Sequence, residues 1–399
     1  MVPGMSGASA RICQPKSEKG LGTSYVGRGN ESESMHEHDF DQEHVQTSTE
    51  DLLDLNEVMQ AFGVSEWTNL GPTESTQTNH LSLLAEIQGE RYVLRERPEG
   101  LIGEDLSHRY DFQNYLRQAG IPIPALRLTP EGEPVVAVGE DSFELQQWAE
   151  GEPFSTSDAR SLDWVAFAGT MLGRIHQSSR QYRGHEHRWP SDAHMGSMVN
   201  NWLNLARIKA DEHEIQAISA ALANWVEQWE AVLPAAMMSI GSGRALPEFH
   251  IHGDYHALNL RFGEFAVTAV TGFEASRWEK RIFEVAYALF SFSALTWQPG
   301  ESLTRPLVKR GLEPERARRF LEAYSEFCPP VSGEAALLAD SLMIIAPVAS
   351  INGPLEDLFF AQEGPDEALI DDVLERIAWA ASLPAWLLRV RRSLAEMWG

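Results

Sequence analysis

The sequence predicts an α+β protein in which a small antiparallel sheet precedes a larger, mainly helical part. Three observations carry this prediction. Short alternating segments separated by turn residues fill most of residues 65–150. Amphipathic runs of helical length then dominate the chain after Pro153. No stretch repeats at a spacing of about 20–50 residues, which sets solenoids and propellers aside. With 399 residues the chain can bury a sizeable core, and its length suggests two or three domains.

In chain order, residues 1–50 are rich in Gly, Ser, Glu, Gln and His and poor in large apolar side chains, so they read as a disordered acidic tail. DLLDLNEVMQAFGV (51–64) has apolar residues at helical spacing. A short strand to Leu70, a turn at Gly71 and Pro72 and a strand from His80 to Ile87 follow, then a hairpin at Gln88 and Gly89 and a strand from Tyr92 to Arg97. SHRYDFQNYLRQAG is a helix stopped by Gly120 and the prolines 122 and 124. PVVAV (134–138) and SFELQQW (142–148) complete the sheet, so residues 51–150 form one N-terminal unit. Residues 151–399 form the helical unit, with runs such as WVAFAGTMLGRIHQSS, VAYALFSFSALTW and AALLADSLMIIAPVAS.

The balance of 32 Lys+Arg against 58 Asp+Glu gives a formal net charge of −26, which disfavours nucleic acid and anionic membrane surfaces as partners. The same acidity is compatible with a cationic small molecule, although a hydrated surface explains it equally. Two cysteines far apart suit a reducing compartment, and neither a secretory signal nor an uninterrupted apolar span of membrane length is read, so a cytoplasmic location is expected. Oligomeric state is not legible.

The stretch FHIHGDYHALNL (249–260) concentrates His250, His252, Asp254 and His256. A His-x-His-x-Asp pattern suggests zinc, but Tyr255 intrudes where a hydrolase signature places a histidine directly after the aspartate. Another pair in the stretch is Asp254 and Asn259, five positions apart, the spacing of the protein-kinase catalytic loop. An aspartate there takes the proton of an attacking hydroxyl, and an asparagine one turn away holds Mg²⁺ on the phosphates, so both must share one tight loop.

With that loop, the chain resembles the aminoglycoside phosphotransferase, or phosphotransferase enzyme, family, and most of all its homoserine-kinase-like branch. HIHGDYHALNLRF is similar to the His-Gly-Asp-x-x-x-x-Asn loop, EASRWEKRIFEVAYALFSF to the segment after it, FELQQWAEGEPF to the hinge, RYVLRERPEG to the third strand and LGRIHQSS to the helix before the loop. The resemblance implies a protein-kinase-like two-lobe fold. Residues 51–150 would be the nucleotide-binding lobe, and residues 151–399 would carry the catalytic loop and substrate site. It also implies ATP and Mg²⁺ as cofactors and a small-molecule alcohol as acceptor, of aminoglycoside, homoserine or choline type. Residue by residue, it implies Asp254 as catalytic base, His252 as a brace of the catalytic loop and Asn259 as a metal ligand. Arg95, Gly71, Ser75, Thr76, Gln146 and Trp148 would line the nucleotide site, and Glu284 would be an acceptor that holds the loop. His250 and His256 receive no role. Glu356 and Asp357 are candidates for contact with the acceptor.

The sequence departs from the family pattern in three places. The lysine of the third strand is Arg95, the acid expected on the following helix is not evident around Arg109, and the aspartate that usually ligates Mg²⁺ is Gly272. Glu274, two positions on, is the expected replacement ligand. Without a replacement the chain would be a pseudokinase acting as a binding or regulatory module.

Overall fold

A computed structural model of the protein describes residues 49–73, 81–97, 104–139, 141–184, 195–212, 215–242, 245–295, 313–360 and 367–399. Helix α1 (Thr49–Ala61) leads into strands β1 (Thr68–Pro72), β2 (Ser82–Ile87) and β3 (Glu90–Arg97), then helix α2 (Glu104–Gln118) and strands β4 (Val136–Val138) and β5 (Asp141–Gln147). The five strands form one antiparallel sheet in the order β1-β2-β3-β5-β4. Gly71 and Pro72 belong to β1 instead of forming the expected turn, because a bulge between Asn69 and Gly71 keeps the chain paired to β2.

The alternation of β3 and β5 decides what the sheet can do. Leu94, Phe143 and Leu145 point to one face, where Leu55, Val58, Met59 and Phe62 of α1 cover them in a separate apolar core. Val93, Arg95, Arg97, Glu144 and Gln146 take the alternate positions, in register as Val93 opposite Gln146 and Arg95 opposite Glu144. Charge is therefore concentrated on the face turned away from α1.

After the sheet come α3 (Ser161–Ser179), α4 (Met195–Glu212), α5 (Gln216–Glu230) and α6 (Leu233–Gly241). Four short strands follow: β6 (Glu248–Ile251), β7 (Leu260–Phe262), β8 (Val267–Val270) and β9 (Arg277–Lys280). Helices α7 (Arg281–Ala294), α8 (Pro314–Ser325), α9 (Leu338–Phe360) and α10 (Glu367–Trp398) complete the described chain. β6 pairs antiparallel with β9 and β7 with β8, so the loops 252–259 and 271–276 are presented side by side.

Two helices run through interior prolines. α9 contains Pro347 and Pro354, and α10 contains Pro384. An interior proline costs a helix about 3 kcal/mol, but burial of flanking Leu383 and Leu387, and of Ile351 and Leu355, offsets it. The segment Ala335–Leu355, interrupted by Asp340 and Asn352, is long and apolar enough by length and composition to cross a membrane, with a hydropathy of 1.7, yet 72% of its most apolar window is buried inside the protein. There α9 packs against α4, α6, α7 and α10, as a core helix does.

Candidate active site

Loop 252–259 is held from below by a buried polar relay. The Glu284 carboxylate on α7 accepts the backbone N–H of His252 at 3.2 Å and that of Gly253. His176 of α3 lies 2.7 Å from Glu284 through Nε2, and its Nδ1 lies 2.8 Å from the Tyr324 hydroxyl. Burial lowers the proton affinity of His176 against the pull of Glu284, which fits a neutral ring donating from Nε2 and accepting at Nδ1. Burial disfavours the charge of Glu284, but its donors outweigh this and keep the carboxyl below the ordinary range. Glu284 thus has the loop-holding geometry that the resemblance implied.

Gly253 has φ +88°, and a Cβ there would come 1.9 Å from the Ala275 carbonyl oxygen, so only glycine lets loop 252–259 lie on loop 271–276. His252 fixes the same contact: its Nε2–H donates to Thr271 O at 2.8 Å, and its Nδ1 accepts the Asp254 N–H at 3.2 Å. Burial pushes the His252 ring toward its neutral form, and Phe273 packs on it at 4.3 Å between centroids. Tyr255, which spoiled the zinc pattern, anchors the loop to α3 by donating to Ala168 O at 2.8 Å. His250 is buried among the rings of Phe112, Tyr182 and His108. The three histidines turn to separate partners, and no cluster of three His, Cys, Asp or Glu side chains that could hold a metal occurs among the described residues.

Asp254 is half-buried and projects into a cavity of about 260 Å³ between the loop, α7 and α9. Its Oδ1 accepts the Tyr287 hydroxyl at 3.1 Å, and its Oδ2 accepts His256 Nε2–H and an Asn259 amide hydrogen, both at 3.1 Å. His256 Nδ1 accepts the Leu258 N–H at 3.2 Å, which sets the ring hydrogen on Nε2. Burial opposes ionisation of Asp254, yet His256, then His252 and Tyr287, outweigh it and hold the carboxyl well below its usual range. His256 and Tyr287 were not assigned from sequence. The legible signal for Tyr287 was its position three residues after Glu284 on an otherwise apolar helix, which puts both on one face.

The second cleft opens on the other side of Asn259, lined by Thr73, Val93, Arg95, Gln146, Trp148 and Asn259. Arg95, Gln146, Trp148 and Asn259 thus line one cleft together with Thr73, while Gly71 sits at the β1 bulge. Ser75 and Thr76 lie outside the described residues. Gln146 Nε2 donates to Pro124 O at 3.3 Å, and Trp148 donates its backbone N–H to Arg91 O at 2.8 Å. The cation that pairs with acids is Arg97, two residues after Arg95 on the same face of β3. It binds Glu144 of β5 and, at 2.7 Å, Glu274. Tyr110 of α2 donates its hydroxyl to Glu144 at 3.1 Å. Among the described residues, the acids that pair with Arg97 come from β5 and loop 271–276.

Gly272 adopts a left-handed conformation, φ +80° and ψ 44°, and a Cβ there would lie 2.3–2.5 Å from the amide atoms of Asn259. The Asn259 amide fills the space an aspartate at this position needs, and it also donates to Asp254 O at 2.9 Å. Glu274 has a side chain 40% exposed, with Oε1 on Arg97. Its partial burial disfavours charge, but Arg97 and then Arg95 lower its pKa below the ordinary value. A magnesium site of the expected kind needs a carboxylate free to meet the ion beside Asn259. Gly272 supplies none, and the carboxylate of Glu274 is engaged by an arginine, so these residues do not fit that ion in the arrangement described.

Fold and site define a two-lobe, protein-kinase-like architecture with an Asp-x-x-x-x-Asn loop between the cleft at Arg95 and the cavity at Asp254. A model of the phosphotransferase enzyme family matches residues 75–324, more than half of the chain, and the chain belongs to that family. Among solved structures, a microcompartment-associated aminopropanol kinase has a TM-score of 0.60 at 13% identity, over 86% of this chain and 99% of that one. An aminoglycoside phosphotransferase from Alicyclobacillus acidocaldarius gives 0.53 at 15% identity, over 90% of this chain and 99% of that one. A spectinomycin phosphotransferase, solved with ADP and spectinomycin, gives 0.52 at 13% identity over 85% and 99%. At these identities the likeness is one of fold. No curated protein matches the chain.

Proposed function

We propose that this protein is a small-molecule O-phosphotransferase that moves the terminal phosphoryl group of ATP to a hydroxyl of an alcohol. The observation that carries this reading is Asp254: a carboxylate kept ionised, aimed into a cavity and oriented by Tyr287, His256 and Asn259 on a braced loop. The acceptor hydroxyl would donate to Asp254, its oxygen would attack the terminal phosphorus, and the bond to the bridging oxygen would break to leave ADP, with the proton on Asp254. Arg95, on the cleft face of β3, would meet the phosphates through its planar fork. The nucleotide bound by the spectinomycin phosphotransferase supports this use of the cleft. The magnesium implied by the family belongs to this reading only as an ion carried on the nucleotide, and no step is assigned to it. The buried free thiol of Cys328 is consistent with a reducing, cytoplasmic setting.

A second reading, a nucleotide-binding module without transfer, draws on one observation, the filling of the space beside Gly272 by Asn259. Phosphorus NMR of the full-length chain with ATP, divalent cation and a mixture of alcohols separates the two. A new phosphomonoester resonance growing with ADP supports the transferase, whereas unchanged ATP that nonetheless binds the protein supports the module.

A further inference from the structure

The strongly acidic chain invites the expectation of a cationic acceptor, and the interior of the acceptor cavity points the other way. Of the acids near it, Glu284 is buried and committed to His176 and to two loop amides. Asp357 on α9, a candidate from sequence, pairs at 2.6 Å with Arg376 of α10. The side chain of Glu356 lies outside what the structure describes. Among the described lining residues, Asp254 is then the one acid open to a ligand, and its oxygens already take three donors.

The same wall carries a cation of its own: the buried guanidinium of Arg277, held on Ala275 O at 3.0 Å and paired with Glu279 at 3.9 Å, lines the cavity. The remaining described lining is mostly carbon, with His256, Ser291 and Asn352 as its polar members. Phe283, Tyr287 and Phe290 all come from one helix, α7, and Ile345, Val348 and Ala349 from α9. Aromatic rings from a single helix do not make the cage that surrounds a quaternary ammonium. The volume of about 260 Å³ is also below the roughly 300–1,000 Å³ of pockets that take drug-sized ligands.

We infer that the acceptor is a small alcohol with an uncharged, largely apolar body, presenting its hydroxyl to Asp254 and its carbon skeleton to the α7 and α9 walls. This rests on the phosphotransferase reading above. A cationic body would be desolvated against hydrocarbon and Arg277 with one shared carboxylate to compensate, which apolar surroundings do not repay.

The test uses choline and 3,3-dimethylbutan-1-ol, its uncharged carbon isostere, with the full-length protein and ATP. The expected result is a kcat/KM at least about tenfold higher for the uncharged alcohol, in line with the cost of burying an unpaired charge. Equal or better use of choline overturns the inference and leaves the phosphotransferase reading standing. If neither alcohol is phosphorylated, the alcohol mixture above decides the phosphotransferase reading, and calorimetry with the same pair decides the inference on binding alone. Tighter binding of the uncharged alcohol supports it; tighter or equal binding of choline, or no binding of either at millimolar concentration, overturns it.

Discussion

On the acceptor side of loop 252–259, Asp254 sits among Tyr287, His256 and Asn259, and the loop under it is tied through Glu284 to His176 and Tyr324. On the donor side the same loop ends with Asn259 lying against Gly272, and the acids and cations have regrouped as Arg97 with Glu144 and Glu274. One half keeps the arrangement its motif implies, and the other has exchanged a lysine, a helix acid and an aspartate for two arginines and two glutamates. The two sides rest on separate supports: Asp254 and its loop on α3, α7 and α8, and the charges around Arg97 on β3, β5 and loop 271–276. A change in one set need not disturb the other.

The sharpest way to break this comparison is to disturb the donor side and ask whether the acceptor side notices. Arg97→Met leaves Glu144, which is 2% exposed, without its cation, and a broken buried pair costs about 3–5 kcal/mol. Chemical denaturation should show a loss of that size, largely recovered by adding Glu144→Gln. Gly272→Asp comes next. The residue would carry positive φ and a Cβ against the Asn259 amide, a strain of about 1–3 kcal/mol, so thermal melts should fall and transfer should not rise. A stable Gly272→Asp variant with higher turnover would mean that the loop relaxes and that an aspartate there restores a metal site.

Two smaller effects sharpen the contrast. Arg95→Ala removes a charged donor from the cleft and should weaken ATP binding by about 1.5–3 kcal/mol, read by calorimetry, without changing binding of an alcohol in the acceptor cavity. The pH dependence of stability reports on the loop brace. His176 and His252 are held neutral in the fold below their ordinary pKa of about 6.5, so the unfolded chain binds more protons as pH falls through that value. Stability should therefore be full above it and decline below it, by at most about 1.4 kcal/mol per pH unit for each ring. Melting temperatures between pH 7.5 and 5.5 test this, and His252→Asn should flatten the slope.

The sheet and most helices were legible because their signals are local: alternation in RYVLRER, the turn at Gln88 and Gly89, and apolar stripes such as that of α3. The passage of α9 and α10 through Pro347, Pro354 and Pro384 is not legible locally, because the burial that offsets a helix proline comes from other helices. At the site, Asp254, Asn259 and Glu284 could be placed from spacing and resemblance. Arg97 was passed over for Arg95 although both share a strand face, because its pairing with Glu144 and Glu274 depends on β3 lying beside β5 and on loop 271–276 approaching from far along the chain. His256 was read as bland, since nothing local says that its ring turns back to Asp254. The role expected of Glu274 met the same obstacle: proximity along the strand suggested an ion, and the fold supplied an arginine.

Label followed from γ-labelled ATP into alcohols, with the native protein and with Asp254→Asn, decides whether Asp254 acts as the base of a phosphotransferase. Transfer to a hydroxyl should occur with the native chain and fall about 10²–10⁴-fold in the variant, as expected for loss of a general base, while ATP affinity stays within about threefold. Native protein that binds ATP but labels no alcohol, or an Asp254→Asn variant that transfers at the native rate, would contradict the account.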